Sequence, residues 1–116
     1  MKIFLDSADI REIVAHVDKV DGVTSNPSLM RKAGVTDYKA FAQEAIGVLG
    51  DKPISLEVFA DEPDEMKAQA HEIASWGRQV YVKIPIVNTR GESTEDVIHE
   101  LAHFGVKVNV TAVMTA

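Results

Sequence analysis

The sequence predicts an α/β protein with a parallel sheet, and three observations support that prediction. Short runs of β-branched and aromatic residues alternate with segments whose apolar residues recur three and four positions apart. The connecting stretches are short, and polar residues gather near the ends of the apolar runs. Because right-handed crossovers join parallel strands, all strand C-termini should lie at one edge, whether the sheet is open or closed into a barrel.

Five strands and four intervening helices follow from this alternation. The strands are predicted over residues 2–6, 22–25, 54–59, 80–86 and 106–114, and the apolar helical faces over residues 10–20, 38–49, 66–74 and 97–102. Asp9 and Glu12 have the spacing of a capping box, which places the start of the first helix. Asn26-Pro27 predicts a turn that ends the second strand.

Composition excludes several classes of function. The chain has 116 residues, the size of one small domain, and no apolar run approaches the ~20 residues that span a bilayer. It has no cysteine, which excludes disulfides, thiolate metal sites and a cysteine nucleophile. A net charge of −6 argues against a nucleic-acid surface. We therefore expect a water-soluble cytoplasmic domain with no membrane and no nucleic-acid partner.

The fourth predicted strand carries a charge in the most apolar neighbourhood of the sequence. Residues 80–86 read Val-Tyr-Val-Lys-Ile-Pro-Ile, with Lys83 in the middle. A lysine on an exposed edge strand can discourage aggregation, which is the ordinary explanation. Apolar residues on both faces of the pleat instead predict burial on both sides, as in a parallel sheet. Burial favours the neutral form of a lysine amine, which is a nucleophile able to form a Schiff base.

Every predicted strand contributes at least one polar residue within it or at its end. Taken singly, each has an ordinary explanation: Asp6 could cap the first helix, and Glu57 could pair with Lys83. Taken together, one polar group per strand is typical of a site at the C-terminal face of a barrel. The set is Asp6, Thr24, Asn26, Glu57, Lys83, Asn109 and Thr111.

Three segments of the chain resemble a known family. Residues 21–29, Asp-Gly-Val-Thr-Ser-Asn-Pro-Ser-Leu, resemble the N-terminal signature of the transaldolases. Residues 82–85, Val-Lys-Ile-Pro, resemble that family's Schiff-base strand, and residues 109–111, Asn-Val-Thr, its next strand. The spacing among the polar residues is also similar to that of the short microbial transaldolases, and the likeness runs from residue 2 to the end of the chain.

The resemblance implies a class I aldolase on a (β/α)₈ barrel, of which residues 1–116 would be the N-terminal portion. Lys83 would form an imine with a ketose phosphate donor, and Asp6 would take the hydroxyl proton when the carbon–carbon bond breaks. The retained dihydroxyacetone unit would then pass to an aldose phosphate acceptor, as in the pentose phosphate pathway. No cofactor and no metal are expected, because the imine supplies the electrophile.

The resemblance also assigns roles to the remaining polar residues. Glu57 would shuttle protons during imine formation, through a water oriented by Thr111 and Thr24. Asn26 and Asn109 would hold the hydroxyls of the donor. Relatives that act as simple fructose-6-phosphate aldolases tend to carry Gln in place of Glu57 and to lack Asn109. Both residues are present here, which favours transaldolase over the aldolase alternative.

Length departs from the family pattern. A (β/α)₈ barrel takes about 250 residues, so 116 residues supply about half of one. Relatives keep their phosphate-binding groups in the other half. Two explanations stay open: the chain is a fragment, or a half-barrel that closes against another copy, and we expect a homo-oligomer. A non-catalytic half-barrel module is the alternative to an enzyme.

One further motif suggests a different chemistry. Residues 99–103, His-Glu-Leu-Ala-His, match the zinc-protease pattern HExxH. On a helix, both histidines would lie opposite the apolar stripe and face solvent. No His, Asp or Glu follows His103 to supply a third ligand, so the sequence favours an ordinary helix surface over a zinc site.

Overall fold

The computed structural model describes residues 2–111, without the side chain of Thr111. In this part of the chain, five parallel strands form one sheet in chain order, which confirms the predicted α/β fold class. The strands are β1 (Phe4–Asp6), β2 (Gly22–Ser25), β3 (Ile54–Glu57), β4 (Val80–Pro85) and β5 (Val108–Thr111). The part of the predicted fifth strand beyond residue 111 lies outside the described residues.

Within residues 2–111, five α-helices connect or flank the strands, one more than the sequence predicts. They are α1 (Ile10–His16), α2 (Pro27–Ala33), α3 (Tyr38–Leu49), α4 (Pro63–Ala74) and α5 (Glu95–His103), with a short 3₁₀ turn at Val17–Lys19 after α1. The additional helix is α2, where a turn was predicted. Asn26 is its N-cap, Pro27 occupies the first turn, and Gly34 ends it at φ 76°. Asn-Pro suits a helix start as well as a turn, and seven residues are too few to show a helical period.

The helices pack on one face of the sheet. We call this the helix-packed face, and define it by the strand residues Val23, Ile54, Leu56, Val82 and Ile84, all 0% exposed. They join one apolar cluster with helix residues that include Ile13, Met66 and Leu101. Burial of these side chains is the main stabilising contribution to the fold.

Within the described residues β4 is fully buried on one face only, whereas burial on both faces was expected. Val80, Val82 and Ile84 are buried, whereas Tyr81, Lys83 and Pro85 are only partly covered. Because side chains alternate along a strand, the second group lies on the face away from the helices. This leaves Lys83 on the open side of the sheet.

One glycine fixes how the second and third strands meet. A Cβ atom at Gly22 would lie 2.6 Å from the carbonyl oxygen of Pro53, too close for any other residue. The next amide, that of Val23, donates to the same oxygen at 3.0 Å. Gly22 therefore allows β2 to approach the start of β3, which sets the register of the residues that follow.

Candidate active site

Polar residues line the face of the sheet opposite the helices. We call this the polar face. Parallel registration places its residues in two rows: Asp6, Thr24 and Ser55 in the first, and Glu57, Lys83 and Asn109 in the second. The two rows are one alternation apart along β3, so the second row lies nearer the C-terminal end of the sheet. Five of the predicted site residues thus share one face.

Asp6 and Thr24 contact each other directly. They are opposite in the β1–β2 register, and the Thr24 hydroxyl donates a hydrogen bond to Asp6 Oδ1. The other carboxylate oxygen of this exposed residue is left to face solvent or a ligand. The contact restricts the orientation of the carboxylate, which a base acting on a bound hydroxyl requires.

Glu57 and Lys83 are opposite each other on adjacent strands. Burial raises the pKa of the Glu57 carboxyl above its ordinary value, and the nearby Lys83 charge partly opposes that rise. Among the described side chains, these two do not form an ion pair. The Glu57 carboxyl is therefore close enough for the Lys83 charge to affect its pKa, while the Lys83 amine is not held in a salt bridge.

Asn109 makes a contact that the sequence does not indicate. Its Nδ2 donates to the hydroxyl of Ser55 at 2.9 Å, although the two residues lie on β5 and β3 with β4 between them. Ser55 is 2% exposed, whereas Asn109 is exposed. Ser55 is absent from the predicted site because a serine in an apolar strand carries no pattern of its own.

Two predicted residues are placed differently from the rest. Asn26 follows β2, and its Oδ1 accepts the backbone N–H of Leu29 at 2.9 Å as the cap of α2. Its amide nitrogen donates to no partner among the described residues, so both of its N–H groups are available for a ligand. Thr111 pairs through its backbone position with Pro85 at the end of β4, and its side chain lies outside the described atoms.

Tyr38 is a second residue that sequence reasoning missed. Its hydroxyl donates to the backbone oxygen of Glu57 at 2.7 Å, and its ring packs against Phe59 and Trp76. Burial, and the charge of Glu57, raise the pKa of the Tyr38 phenol, which keeps the hydroxyl a donor. Tyr38 therefore fixes the point where β3 ends and presents Glu57.

Hydrogen bonds connect the loop after β3 to the loop after β4, beyond the C-terminal ends of these strands. The Asp61 carboxylate accepts from the backbone N–H and the hydroxyl of Thr89, both at 2.8 Å. The buried Asn88 side chain donates to Glu92 Oε1 at 2.9 Å and accepts the backbone N–H of Arg90 at 3.0 Å. A cleft of about 480 Å³ opens between the two loops, with Glu57 in its lining.

Arg90 has carboxylate partners in this loop. Its Nη2 lies 2.7 Å from Glu62 and 2.8 Å from Glu92. The two acids satisfy the guanidinium charge, so the geometry favours a structural role over capture of an anionic substrate.

The HExxH segment lies on α5, away from the polar face. His99 lies 3.6 Å from Glu95, and Glu100 forms an ion pair with Lys67 at 3.1 Å. Within residues 2–111, no cluster of three or more His, Asp or Glu side chains could hold a metal ion. The segment has the contacts of a helix surface.

Comparison with known proteins identifies the family. The model of the family "Transaldolase/Fructose-6-phosphate aldolase" matches residues 3–116. This chain belongs to that family. The five-stranded parallel sheet is accordingly consistent with the N-terminal half of a transaldolase (β/α)₈ barrel.

Curated relatives agree with this assignment. A protein named "Probable transaldolase" from Dehalococcoides mccartyi is 42% identical over 113 residues, covering 96% of this chain and 50% of the relative. One of the same name from Streptococcus agalactiae is 39% identical over 117 residues, covering 99% of this chain and 52% of the relative. "Probable transaldolase 2" from Listeria monocytogenes is 37% identical over 117 residues, with 99% and 51% covered. The chain thus spans about half the length of these relatives.

None of the helices in the described part is long and apolar enough to cross a membrane.

Proposed function

We propose that the protein carrying this chain is a Schiff-base transaldolase, with Lys83 as the nucleophile. The observation that supports this most is the second row of the polar face, where Lys83 lies between Glu57 and Asn109 in register. A lysine flanked by a half-buried carboxyl and an amide, and not held in an ion pair, suits attack on a ketone. The proposed donor is a ketose phosphate and the proposed acceptor an aldose phosphate.

The first half of the reaction forms and uses an imine. The neutral Lys83 amine adds to the donor carbonyl, and loss of water leaves a protonated imine, with Glu57 carrying protons to and from the oxygen that departs. Asp6 then takes the proton of the hydroxyl next to the bond that breaks. The electrons of the carbon–carbon bond move into the imine, an aldehyde leaves, and an enamine of dihydroxyacetone stays on Lys83.

The second half reverses these steps with a new aldehyde. The enamine carbon attacks the acceptor carbonyl, and Asp6 returns its proton to the resulting alkoxide. Water adds to the new imine and releases the product and the free Lys83 amine. Asn109 and the amide nitrogen of Asn26 hold donor hydroxyls throughout, Thr24 keeps Asp6 oriented, and Thr111 orients the water used with Glu57.

This proposal extends to the rest of the protein. Residues 1–116 would be the N-terminal part of a single barrel domain, completed by further strands or a second copy of the chain. The whole enzyme would work in the cytoplasm on sugar phosphates of the pentose phosphate pathway, as a homo-oligomer. Glu57 and Asn109 favour transfer over simple fructose-6-phosphate cleavage, because relatives that only cleave tend to differ at both positions.

Reduction with borohydride tests the nucleophile directly. Fructose 6-phosphate is incubated with a full-length transaldolase that carries these residues, reduced, and mapped by peptide mass. We expect the added mass on Lys83 and its loss in Lys83→Met. Lys107→Met is the matched control, because Lys107 directly precedes β5 and its Nζ donates to the backbone oxygen of Arg78 at 2.8 Å. Trapping in Lys83→Met would end the proposal.

Asp6→Asn separates imine formation from cleavage. Asparagine keeps an oxygen that accepts the Thr24 hydroxyl but cannot take a proton as the carboxylate does. We expect normal trapping on Lys83 and a transfer rate lower by about 10²–10⁴-fold. Product appearing without an added acceptor would favour the aldolase alternative, and no trapping in the unsubstituted protein would favour the non-catalytic module.

A further inference from the structure

We propose that Ser55 is a positioning residue, which holds the amide of Asn109 beside Lys83 so that Asn109 Oδ1 accepts a hydrogen bond from a hydroxyl of the ketose donor. This inference rests on the proposed function. It assigns a task to a residue that does not itself meet the substrate.

The register shows why this contact is unusual. Asn109 is level with Lys83, whereas Ser55 is level with Tyr81, one alternation nearer the start of β4. The backbones of β3 and β5 lie roughly 10 Å apart, since β4 runs between them. A 2.9 Å hydrogen bond between the two side chains therefore crosses β4 on the polar face. The Asn109 amide lies over the strand that carries Lys83.

Ser55 and Asn109 differ in burial, and this difference gives them different roles. Ser55 is 2% exposed and is fixed among its neighbours, whereas Asn109 is exposed. An exposed asparagine samples several rotamers, and ordering it on binding costs free energy. The Ser55 hydroxyl removes that cost in advance by selecting one rotamer. Because the buried Ser55 offers almost no surface to the donor, we expect it to affect donor binding through Asn109.

The hydrogen bond also decides which end of the amide faces the donor. Asn109 uses Nδ2 on Ser55, so its carbonyl oxygen is the group turned towards other partners. A carbonyl oxygen accepts from hydroxyls, which the donor carries on both sides of its ketone. The geometry thus favours recognition of a hydroxyl next to the carbonyl that Lys83 attacks.

A second buried serine gives a matched comparison. Ser25 is 0% exposed and lies on the helix-packed face, and its hydroxyl has no hydrogen-bond partner among the described residues. Removing this hydroxyl changes side-chain volume as much as removing that of Ser55. Among the described residues, the Ser25 hydroxyl makes no hydrogen bond on the polar face.

A double-mutant cycle tests the proposal in a full-length transaldolase that carries these residues. The kinetic constants for fructose 6-phosphate and for an acceptor aldose phosphate are measured in Ser55→Ala, Asn109→Ala, the double variant and Ser25→Ala. We expect Ser55→Ala to raise the donor KM about three- to tenfold, the loss of roughly one hydrogen bond, with kcat and the acceptor KM unchanged. In the Asn109→Ala background, Ser55→Ala should change nothing further, and Ser25→Ala should leave all constants unchanged.

The outcomes separate this inference from the proposed function. If the unsubstituted protein traps fructose 6-phosphate on Lys83 but the Ser55 and Asn109 effects simply add, Ser55 does not act through Asn109 and the inference is wrong. Equal KM changes for donor and acceptor, or in Ser25→Ala, would also overturn it, because they indicate general loosening. If the unsubstituted protein traps no donor, the proposed function fails first and the inference falls with it.

Discussion

The two faces of the sheet differ in what their residues contact. On the helix-packed face, Leu56 and Val82 are 0% exposed and belong to the apolar cluster. On the polar face, their sequence neighbours Glu57 and Lys83 are partly exposed and ionisable. Because a strand alternates its side chains, consecutive residues of one backbone serve stability and the proposed chemistry separately.

This difference makes the two roles separable by substitution. Each strand that contributes a polar residue is held in place from the opposite side by apolar neighbours. A change on the helix-packed face should lower the free energy of unfolding without altering the reaction of the folded protein. A change on the polar face should alter the reaction and have little effect on the free energy of unfolding at neutral pH, except where a residue connects the two faces.

The largest expected effect on stability is that of Leu56→Ala. The substitution leaves a cavity in a fully buried site, and we expect the free energy of unfolding to fall by about 2–5 kcal/mol. Unfolding in urea measures this, with Lys83→Met as the partner on the polar face. At temperatures where Leu56→Ala stays folded, borohydride trapping should be normal. A strongly destabilised Lys83→Met would contradict the separation of roles.

A smaller effect is expected at the residue that connects the faces. Tyr38 starts α3 on the helix side but donates to the backbone of Glu57. Tyr38→Phe keeps the ring contacts and removes one hydrogen bond, so we expect a loss of about 0.5–1.5 kcal/mol of stability.

The same variant tests whether Tyr38 also positions Glu57. If it does, the rate of trapping should fall as well, by less than about tenfold. Trapping at the rate of the unsubstituted protein would limit Tyr38 to stability. Either result shows whether the polar face depends on contacts made from the helix side.

The positions of the strands along the chain were predictable because each one has a short apolar run with a clear end. The sharing of one face by Asp6, Lys83 and Asn109 followed from the fold, since the C-terminal ends of parallel strands converge. The family assignment is confirmed, and the catalytic roles stay predictions.

Other features could not be predicted because their causes are local or distant in sequence. Helix α2 depends on caps at Asn26 and Gly34 rather than on an apolar period. The contact between Ser55 and Asn109 joins residues 54 positions apart, across an intervening strand. Alternation along β3 places Ser55 on the same face as Glu57, but no pattern in the sequence indicates that its hydroxyl contacts Asn109.

The subtlest expected effect is the dependence of stability on pH at Glu57. Burial raises the pKa of this carboxyl, and Lys83 opposes the rise only in part, so folding favours the protonated form. Its contribution to stability is fully present below the pKa of the unfolded chain, near 4.5, and is lost as pH rises through the higher folded value. Glu57→Gln cannot ionise, so its free energy of unfolding should lack this decline. The difference between variant and unsubstituted protein should therefore move in favour of Glu57→Gln as pH rises from about 4 to 7. Unfolding in urea across that range measures it, with Glu44→Gln on the exposed side of α3 as the control. A difference that moves the other way would mean that attraction to Lys83 outweighs the effect of burial at Glu57.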